Sequence, residues 1–188
     1  LYEQLDTLKD DDVLVLAGSI PSGMPQSIYR DIMSRLQSKR IKIAVDATKD
    51  LLMNVLAYHP FVIKPNNHEL SEIFDIMIDS KEKAVVYAKE LQKKGAQNVI
   101  VSMAGEGAVF VGSDGSVFIS EAPHGVVKNS VGAGDSMVAG FLAGYLAKGD
   151  YAEAFKMGLC TGSASAFSDQ LATREEVEQI RRSHIFDF

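Results

Sequence analysis

The chain is organised around Asn129-Ser130-Val131-Gly132-Ala133-Gly134-Asp135-Ser136, a loop of small residues with one carboxylate. Apolar residues follow it at helical spacing, at Met137, Val138, Phe141, Leu142, Tyr145 and Leu146. The first turn of a helix has unpaired N–H groups and the positive end of the helix dipole, which together attract an anion. The stretch therefore predicts a loop and a helix start that bind a phosphate group or a developing oxyanion.

Three residues of this loop suggest chemistry. Gly132 and Gly134 let the backbone come close to a phosphoryl group, because they carry no side chain. Asp135 falls in the first helical turn, where the dipole favours a charged carboxylate that can accept a proton from a hydroxyl nucleophile. Phosphoryl transfer needs groups that stabilise the charge of the phosphoryl group and a base that orients the attacking hydroxyl. The alternative is that Asp135 only offsets the helix dipole at a glycine-rich turn, and the loop alone does not separate the two.

Composition narrows the class of protein. With 188 residues, of which 46% are hydrophobic and 23% charged, the chain can bury one sizeable core, so we expect one domain. A net charge of -6 without Lys and Arg clusters argues against binding to nucleic acid. Cys160 is the only cysteine, which excludes an intramolecular disulfide and fits a reducing, cytoplasmic compartment.

Two features of the sequence bear on membranes and targeting. No apolar run approaches the ~18 residues that span a bilayer, and the first residues have no signal-peptide pattern, so we expect no membrane partner. The sequence does not begin with Met, so we expect a fragment or a trimmed chain.

Apolar patterns predict alternating strands and helices. The predicted strands are a buried strand at 13–17, then 41–45, 61–63 and 99–102, and a hairpin of 108–111 with 117–120. The predicted helices are 1–9, one that begins at Pro25, 47–56, 67–74, 81–94, 137–147, 152–166 and 175–182. The helix that begins at Pro25 has Ile28, Ile32, Met33 and Leu36 on its apolar face. Thr173 and Glu176 form a capping box at the start of the last helix. This order implies a parallel sheet with helices on both faces, which binds ligands at the carboxyl ends of its strands.

Four polar loops are predicted to leave those ends, at 18–23, 64–69, 102–107 and the opening loop. In the second of them Lys64, Asn66 and Glu69 supply a cation, an amide and a carboxylate, which suit phosphate and Mg²⁺ with its waters. The alternative is that Asn66 or Asn67 caps a helix and Glu69 favours its first turn. Loop 102–107 offers flexible backbone for a nucleotide, or is simply a glycine turn between strands.

Together, in this order, these stretches resemble the ribokinase-like sugar kinases, also called the PfkB family. Val131-Gly132-Ala133-Gly134-Asp135-Ser136 matches the C-terminal signature of the family, and Asn66-x-x-Glu69 matches its metal and phosphate motif. The resemblance covers essentially the whole chain. It implies an α/β protein with a ribokinase-like three-layer α/β/α fold and a mainly parallel sheet.

The resemblance also implies a sugar-kinase reaction and assigns catalytic roles. Asp135 would be the base that takes the proton of the sugar hydroxyl, and Gly132, Ala133 and Gly134 would form the anion hole. The loop that contains Ser19 would face the sugar.

The cofactors implied by the resemblance are ATP and Mg²⁺. Asn66 and Glu69 would govern Mg²⁺ and the nucleotide phosphates. The other residues implied at the nucleotide are Lys64, Ser102, Gly105 and Gly107 along ATP, with Leu159 and Ser163 near the adenine. Ala104 stands where many relatives have glycine. Some relatives also bind a monovalent cation such as K⁺ near the backbone of residues matching Asn129, Val131 and Ser165.

Within the family, segments 18–25, 64–66, 101–105 and 162–168 look most like the branch that phosphorylates fructose 1-phosphate to fructose 1,6-bisphosphate. Kinases of tagatose 6-phosphate, fructose 6-phosphate or ribose are alternatives, as is a nucleotide-binding fragment without catalysis. An NAD-binding oxidoreductase is disfavoured because no Gly-x-Gly-x-x-Gly follows a first strand.

The chain of the family begins well upstream of Leu1. The resemblance therefore implies that 1–188 are the C-terminal portion of a single sugar-kinase domain, with N-terminal strands, lid and most sugar-phosphate ligands missing. We expect much of the nucleotide site, an incomplete sugar site and an exposed sheet edge prone to association. ATP and a sugar phosphate are the expected partners, and a homodimer is left open.

Overall fold

The computed structural model describes residues 1–188, which divide into two compact units, Leu1–Ile100 and Val101–Phe188. Each unit is described by itself. None of the helices combines the length and the apolar character needed to cross a bilayer.

The first unit alternates strands with helices. Its strands are β1 (Val13–Ala17), β2 (Lys42–Asp46), β3 (Val62–Ile63) and the start of β4 (Asn98–Ser102), which pair in this order and are all parallel. Its helices are α1 (Tyr2–Asp6), α2 (Ile28–Leu36), α3 (Lys49–Met53), α4 (Asn67–Phe74) and α5 (Lys81–Lys93), with a 3₁₀ turn at Leu56–Tyr58. The parallel order predicted from the alternating pattern is confirmed for these strands.

The register of these strands brings three loop starts to one edge. Ala17 lies opposite Asp46, and Val45 lies opposite Ile63. Because parallel strands end on the same side, Gly18, Asp46 and Lys64 follow at neighbouring positions. Hydrogen bonds continue the ladder there, from Gly18 N–H to the Asp46 carbonyl at 3.1 Å and from Lys64 N–H to the Val45 carbonyl at 3.3 Å.

Strand β1 has the predicted bounds, but the prediction that it is buried is wrong. Leu16 alone is buried, and 46% of the surface of Val15 is exposed. Within this unit β1 pairs only with β2, so it is an edge strand. The exposed edge expected above is therefore present, and association of chains at this edge stays a prediction.

Three helices of the first unit differ from the sequence expectation. Helix α1 covers only Tyr2–Asp6, so it is shorter than the predicted helix 1–9. Helix α2 begins at Ile28 rather than Pro25, because Pro25 to Ile28 forms a turn closed by an N–H to carbonyl bond of 3.0 Å. The predicted helix 47–56 is interrupted and continues as the separate turn at Leu56–Tyr58. The apolar face predicted for α2 is confirmed, since its four residues are all buried: Ile28, Ile32, Met33 and Leu36.

The second unit is a β-hairpin and three helices. Strands β5 (Ala108–Val111) and β6 (Val117–Ser120) are antiparallel and have the predicted bounds. The helices are α6 (Ala133–Lys148), α7 (Tyr151–Phe167) and α8 (Arg174–Ser183), and the capping box of Thr173 and Glu176 is confirmed. Helix α6 begins four residues before the predicted position 137, so the Gly-Ala-Gly-Asp segment is its cap and first turn.

Glycines bring α6 and α7 into backbone contact. A Cβ atom on Gly140 would lie 2.7 Å from the Met157 carbonyl oxygen, and one on Gly158 would lie 2.9 Å from the Met137 carbonyl oxygen. Near the start of α6, a Cβ on Gly162 would lie 3.1 Å from the carbonyl oxygen of Ala133. Side chains at these positions would push the helices apart, so the glycines set how closely the first turn of α6 approaches α7.

We expect Gly140→Ala to destabilise the chain. In an open helix this change would add roughly 1 kcal/mol of stability, but overpacking against backbone typically costs 1–3 kcal/mol, so the free energy of unfolding should fall by about 1 kcal/mol. Urea unfolding followed by circular dichroism measures it. The matched control is Gly23→Ala, because a Cβ at Gly23 meets no atom within 4 Å. A midpoint for Gly140→Ala above that of the unmodified chain would contradict this account.

Candidate active site

The loop quoted first in the sequence becomes the start of α6. Gly132 is the N-cap residue, with φ +79° and ψ -2°, a left-handed conformation that favours glycine. Asp135 lies in the first turn with its side chain exposed, and no hydrogen bond or ion pair in the chain uses its carboxylate. An exposed carboxylate with free lone pairs can accept a proton from a bound hydroxyl.

The backbone amides of this turn are partly free. The Ala133 N–H donates to the Ser130 carbonyl at 3.2 Å, and the Ser136 N–H donates to the Gly132 carbonyl at 2.9 Å. The amides of Gly132, Gly134 and Asp135 have no acceptor in the chain. The anion hole expected from Gly132, Ala133 and Gly134 stays a prediction: in this structure the amide of Ala133 closes a turn, whereas those of Gly132, Gly134 and Asp135 are free.

A pocket of about 550 Å³ opens beside this turn, within the second unit. Its volume is typical of small-molecule sites. The residues that line it are Asn129, Val131, Gly132, Asp135, Ser136, Ala139, Asp169, Gln170 and Leu171. Residues 169–171 follow α7 and were not among the predicted site residues. They were missed because they are far from Asp135 in the sequence. Helix α7 brings them back to the start of α6 in the structure.

Hydrogen bonds hold the residues on either side of segment 169–171. The Ser168 hydroxyl donates to Glu176 Oε1 at 2.7 Å, and the Thr173 N–H donates to Glu176 Oε2 at 2.7 Å. The Thr173 amide first, and then the Ser168 hydroxyl, lower the pKa of Glu176. Lys128 pairs with Asp169, one of the residues that line the pocket, at 3.3 Å. The pocket wall is thus anchored at residues 168, 169 and 173.

The loop predicted to border a nucleotide forms one tight turn after β4. The Met103 N–H donates to the Gly107 carbonyl at 2.8 Å, which brings Ser102, Gly105 and Gly107 together. Gly107 has φ +94°, and a Cβ there would overlap the Ser120 carbonyl, so the hairpin itself requires glycine. Ala104 has φ +48°, a left-handed conformation that disfavours alanine, which is the physical reason why glycine suits this position.

Helix α7 carries the two residues expected near adenine. Leu159 and Ser163 are one turn apart, and Ser163 is half-buried. Leu159 is only 1% exposed, so its side chain belongs to the core. The position of Leu159 near the adenine stays a prediction, and its side chain leaves almost no surface for direct contact with a base.

In the first unit, Lys64 is buried against a carboxylate. Its side chain is 7% exposed, and its Nζ lies 3.2 Å from Asp46 Oδ2. A buried ammonium group is stable only when it is paired. Sequence reasoning named Lys64 but missed Asp46, although its place at the end of the neighbouring parallel strand was available as a signal.

Ser19 is exposed in the loop that follows β1. The Tyr29 hydroxyl, which donates to the carbonyls of Ala17 at 2.7 Å and Gly18 at 3.1 Å, holds the start of this loop. Burial, and then the charge of Asp46, raise the pKa of Tyr29. The structure therefore brings the loop of Ser19 to the same edge as Asp46 and Lys64.

Asn66 and Glu69 form a capping box at the start of α4. The Glu69 N–H donates to Asn66 Oδ1 and the Asn66 N–H donates to Glu69 Oε2, both at 2.8 Å. The helix-capping alternative is thus realised. One Glu69 oxygen and the Asn66 amide nitrogen remain unused.

The structure has no cluster of three or more His, Cys, Asp or Glu side chains that could hold a metal ion. Mg²⁺ in nucleotide sites is bound by one or two carboxylates, substrate phosphates and waters. The free oxygen of Glu69 fits that kind of site and does not form a protein cage.

Comparison with known proteins decides the family. The model of the pfkB family carbohydrate kinases matches residues 1–176. The chain belongs to the pfkB family. The α/β fold class expected from the resemblance is confirmed by a solved structure, phosphofructokinase-2 from Escherichia coli in complex with potassium, with a TM-score of 0.87 and 27% identity. That match covers 96% of this chain and 60% of the other.

Two curated pfkB relatives are similar in sequence. A 1-phosphofructokinase from Bacillus subtilis is 44% identical over 178 residues, which are 95% of this chain and 58% of the relative. A D-tagatose-1-phosphate kinase from Bacillus licheniformis is 30% identical and matches 88% of this chain and 55% of its own length. This pfkB chain therefore spans less than three-fifths of these two relatives.

The capping box allows the structural role of Asn66 and Glu69 to be measured separately. Asn66→Ala removes the cap acceptor, and we expect a loss of about 1 kcal/mol in the free energy of unfolding. Glu69→Gln should leave stability nearly unchanged, because glutamine also serves in a capping box. Urea unfolding of both variants tests this. Equal losses of stability in the two variants would contradict this prediction. If Glu69→Gln is as stable as expected, any change in its Mg²⁺ requirement is due to the loss of the negative charge and not to unfolding.

Proposed function

We propose that this chain is the C-terminal portion of a single sugar-phosphate kinase domain that transfers the γ-phosphoryl group of ATP to fructose 1-phosphate. The observation that carries the proposal is the first turn of α6, where the Asp135 carboxylate and three backbone amides are free and where Gly132 and Asp135 line a pocket of about 550 Å³. The 44% identity to a 1-phosphofructokinase supports the choice of sugar phosphate.

Asp135 would act as the base. Its carboxylate accepts the proton of the sugar hydroxyl as that oxygen attacks the γ-phosphoryl group. The amides of Gly132, Gly134 and Asp135 would donate hydrogen bonds to the charge that develops on the phosphoryl oxygens. These donors are fixed by the left-handed cap at Gly132 and need no rearrangement during the reaction.

Other residues would hold ATP and its metal ion. Mg²⁺ bound with ATP neutralises phosphate charge. The free oxygen of Glu69 and the amide of Asn66 would orient the metal-bound waters and phosphates. Lys64 would supply a positive charge whose position is kept by Asp46. Ser102, Gly105 and Gly107 would border the nucleotide, Ser163 would approach the adenine, and the loop of Ser19 would face the sugar.

A monovalent cation such as K⁺ is part of the proposal. A solved relative of 27% identity contains potassium. In this chain Asn129 and Val131 line the pocket. Backbone carbonyl oxygens bind K⁺ in proteins, and those of Asn129, Val131 and Ser165 would be its ligands here.

The use of ATP and the single buried cysteine fit an enzyme of the cytoplasm.

The base assignment predicts a large loss of turnover. In the full-length protein, Asp135→Asn keeps the shape of the side chain and removes the base, so kcat should fall by about 10²- to 10⁴-fold while KM for ATP changes little. A coupled assay of ADP release measures it. Turnover at the parental rate would contradict the assignment.

The substrate is tested by comparing kcat/KM for sugar phosphates on the full-length protein. We expect fructose 1-phosphate to exceed fructose 6-phosphate and tagatose 6-phosphate by at least about tenfold, because a buried polar site left unpaired by the wrong isomer loses roughly 1–3 kcal/mol. Tagatose 1-phosphate is the second candidate, because a 30% identical relative is a kinase of that sugar. Equal rates would contradict the specific proposal.

A non-catalytic fragment remains the other class of function. Calorimetry with MgATP and a kinase assay on residues 1–188 distinguish it. Heat of MgATP binding by residues 1–188 without turnover by the same residues would favour that alternative.

A further inference from the structure

A chain of hydrogen bonds runs from a backbone amide into the pocket beside Asp135. The Ala172 N–H donates to Ser165 Oγ at 3.1 Å, and the Ser165 hydroxyl donates to Ser136 Oγ at 2.8 Å. Ser165 is only 2% exposed and Ser136 only 9%, so both hydroxyls are largely shielded from water. All three residues belong to the second unit.

The direction of the first bond follows from its donor, and in the second bond Ser165 is the donor. A backbone N–H can only donate, so Ser165 Oγ must accept from Ala172. The Ser165 hydrogen then goes to Ser136 Oγ, which accepts it. No acceptor in the chain takes the hydrogen of Ser136, although this side chain is nine-tenths buried and lines the pocket. Ser136 therefore ends the relay with a free hydroxyl donor.

The position of that donor indicates what it binds. Ser136 is next to Asp135 and lines the same pocket as Gly132, whose amide has no acceptor in the chain. Donors converging on one pocket suit an anionic oxygen. Each bond of such a relay polarises the next, by about 10–30%, so Ser136 is a stronger donor than an isolated serine.

We infer that the Ser136 hydroxyl donates a hydrogen bond to an oxygen of the γ-phosphoryl group, and that Ser165 is a positioning residue that orients and polarises it. This inference rests on the proposed function. Through Ala172, the relay also ties residues 169–171 to the first turn of α6, so the pocket wall and the proposed base keep a fixed relation.

Binding of two nucleotides to the full-length protein tests the inference. Calorimetry compares MgADP with the nonhydrolysable MgAMP-PNP, which carries the third phosphate. For Ser136→Ala, the affinity for MgAMP-PNP should fall about tenfold, the value of one hydrogen bond to a charged group, with MgADP unchanged. Ser136→Thr keeps the hydroxyl and should bind like the unmodified chain.

Ser165→Ala should weaken MgAMP-PNP binding in the same direction by a smaller factor, and Ser165→Cys serves if that variant does not fold. The matched control is Ser120→Ala, because Ser120 is 7% exposed in the same unit and donates only to the adjacent Glu121 carbonyl. Its affinities for both nucleotides should be unchanged.

The outcomes are distinct. Unchanged MgAMP-PNP binding in Ser136→Ala, or equal losses for both nucleotides, would overturn the γ-phosphoryl contact while leaving the proposed kinase intact. Failure of the unmodified chain to bind either nucleotide would overturn the nucleotide site of the proposed function, and this inference with it.

Discussion

The contact between α6 and α7 is the constraint on which the candidate site depends. Glycines on both helices let backbone meet backbone, as at Gly158 against the Met137 carbonyl. Because serine side chains are short, the 2.8 Å bond from Ser165 to Ser136 can form only between helices that approach this closely. The same approach returns residues 169–171 to the start of α6. Loss of a glycine would therefore act on the pocket as well as on stability.

Groups with a proposed chemical role also have structural roles in this protein. Asn66 and Glu69 use one oxygen each to cap α4, and their remaining polar atoms are available to a ligand. Lys64 is stabilised in the sheet edge by Asp46, which also fixes where its charge lies. Interactions of this kind hold side chains in place before a ligand binds, and preorganised groups stabilise a transition state at little further cost. Structural and chemical explanations of these residues are thus complementary.

Local patterns predicted most elements because their causes are local. The bounds of α4, β5 and β6 were predicted, since caps, turns and alternating residues mark them in the sequence. The start of α6 was placed four residues late, because glycines at a helix start look like loop. The burial of β1 was wrong for a different reason: an apolar strand reads the same whether or not a neighbour covers it, and Val15 is exposed at the edge.

The sequence by itself determined the order of strands and helices, the glycine-rich cap before Asp135, the Asn66 and Glu69 pair, and membership of the kinase family. These depend on residues a few positions apart or on a motif that can be read in order. Only the tertiary structure decided which groups are already paired: Lys64 with Asp46, Ser165 with Ser136, Leu159 with the core, and the Ala133 amide with Ser130. Most of these pairings join residues far apart in the chain, and the last depends on the backbone conformation of the cap. The spacing of hydrophobic residues indicates neither long-range pairs nor the conformation of the cap. Only the folded structure therefore shows which donors and which carboxylate have no partner in the chain.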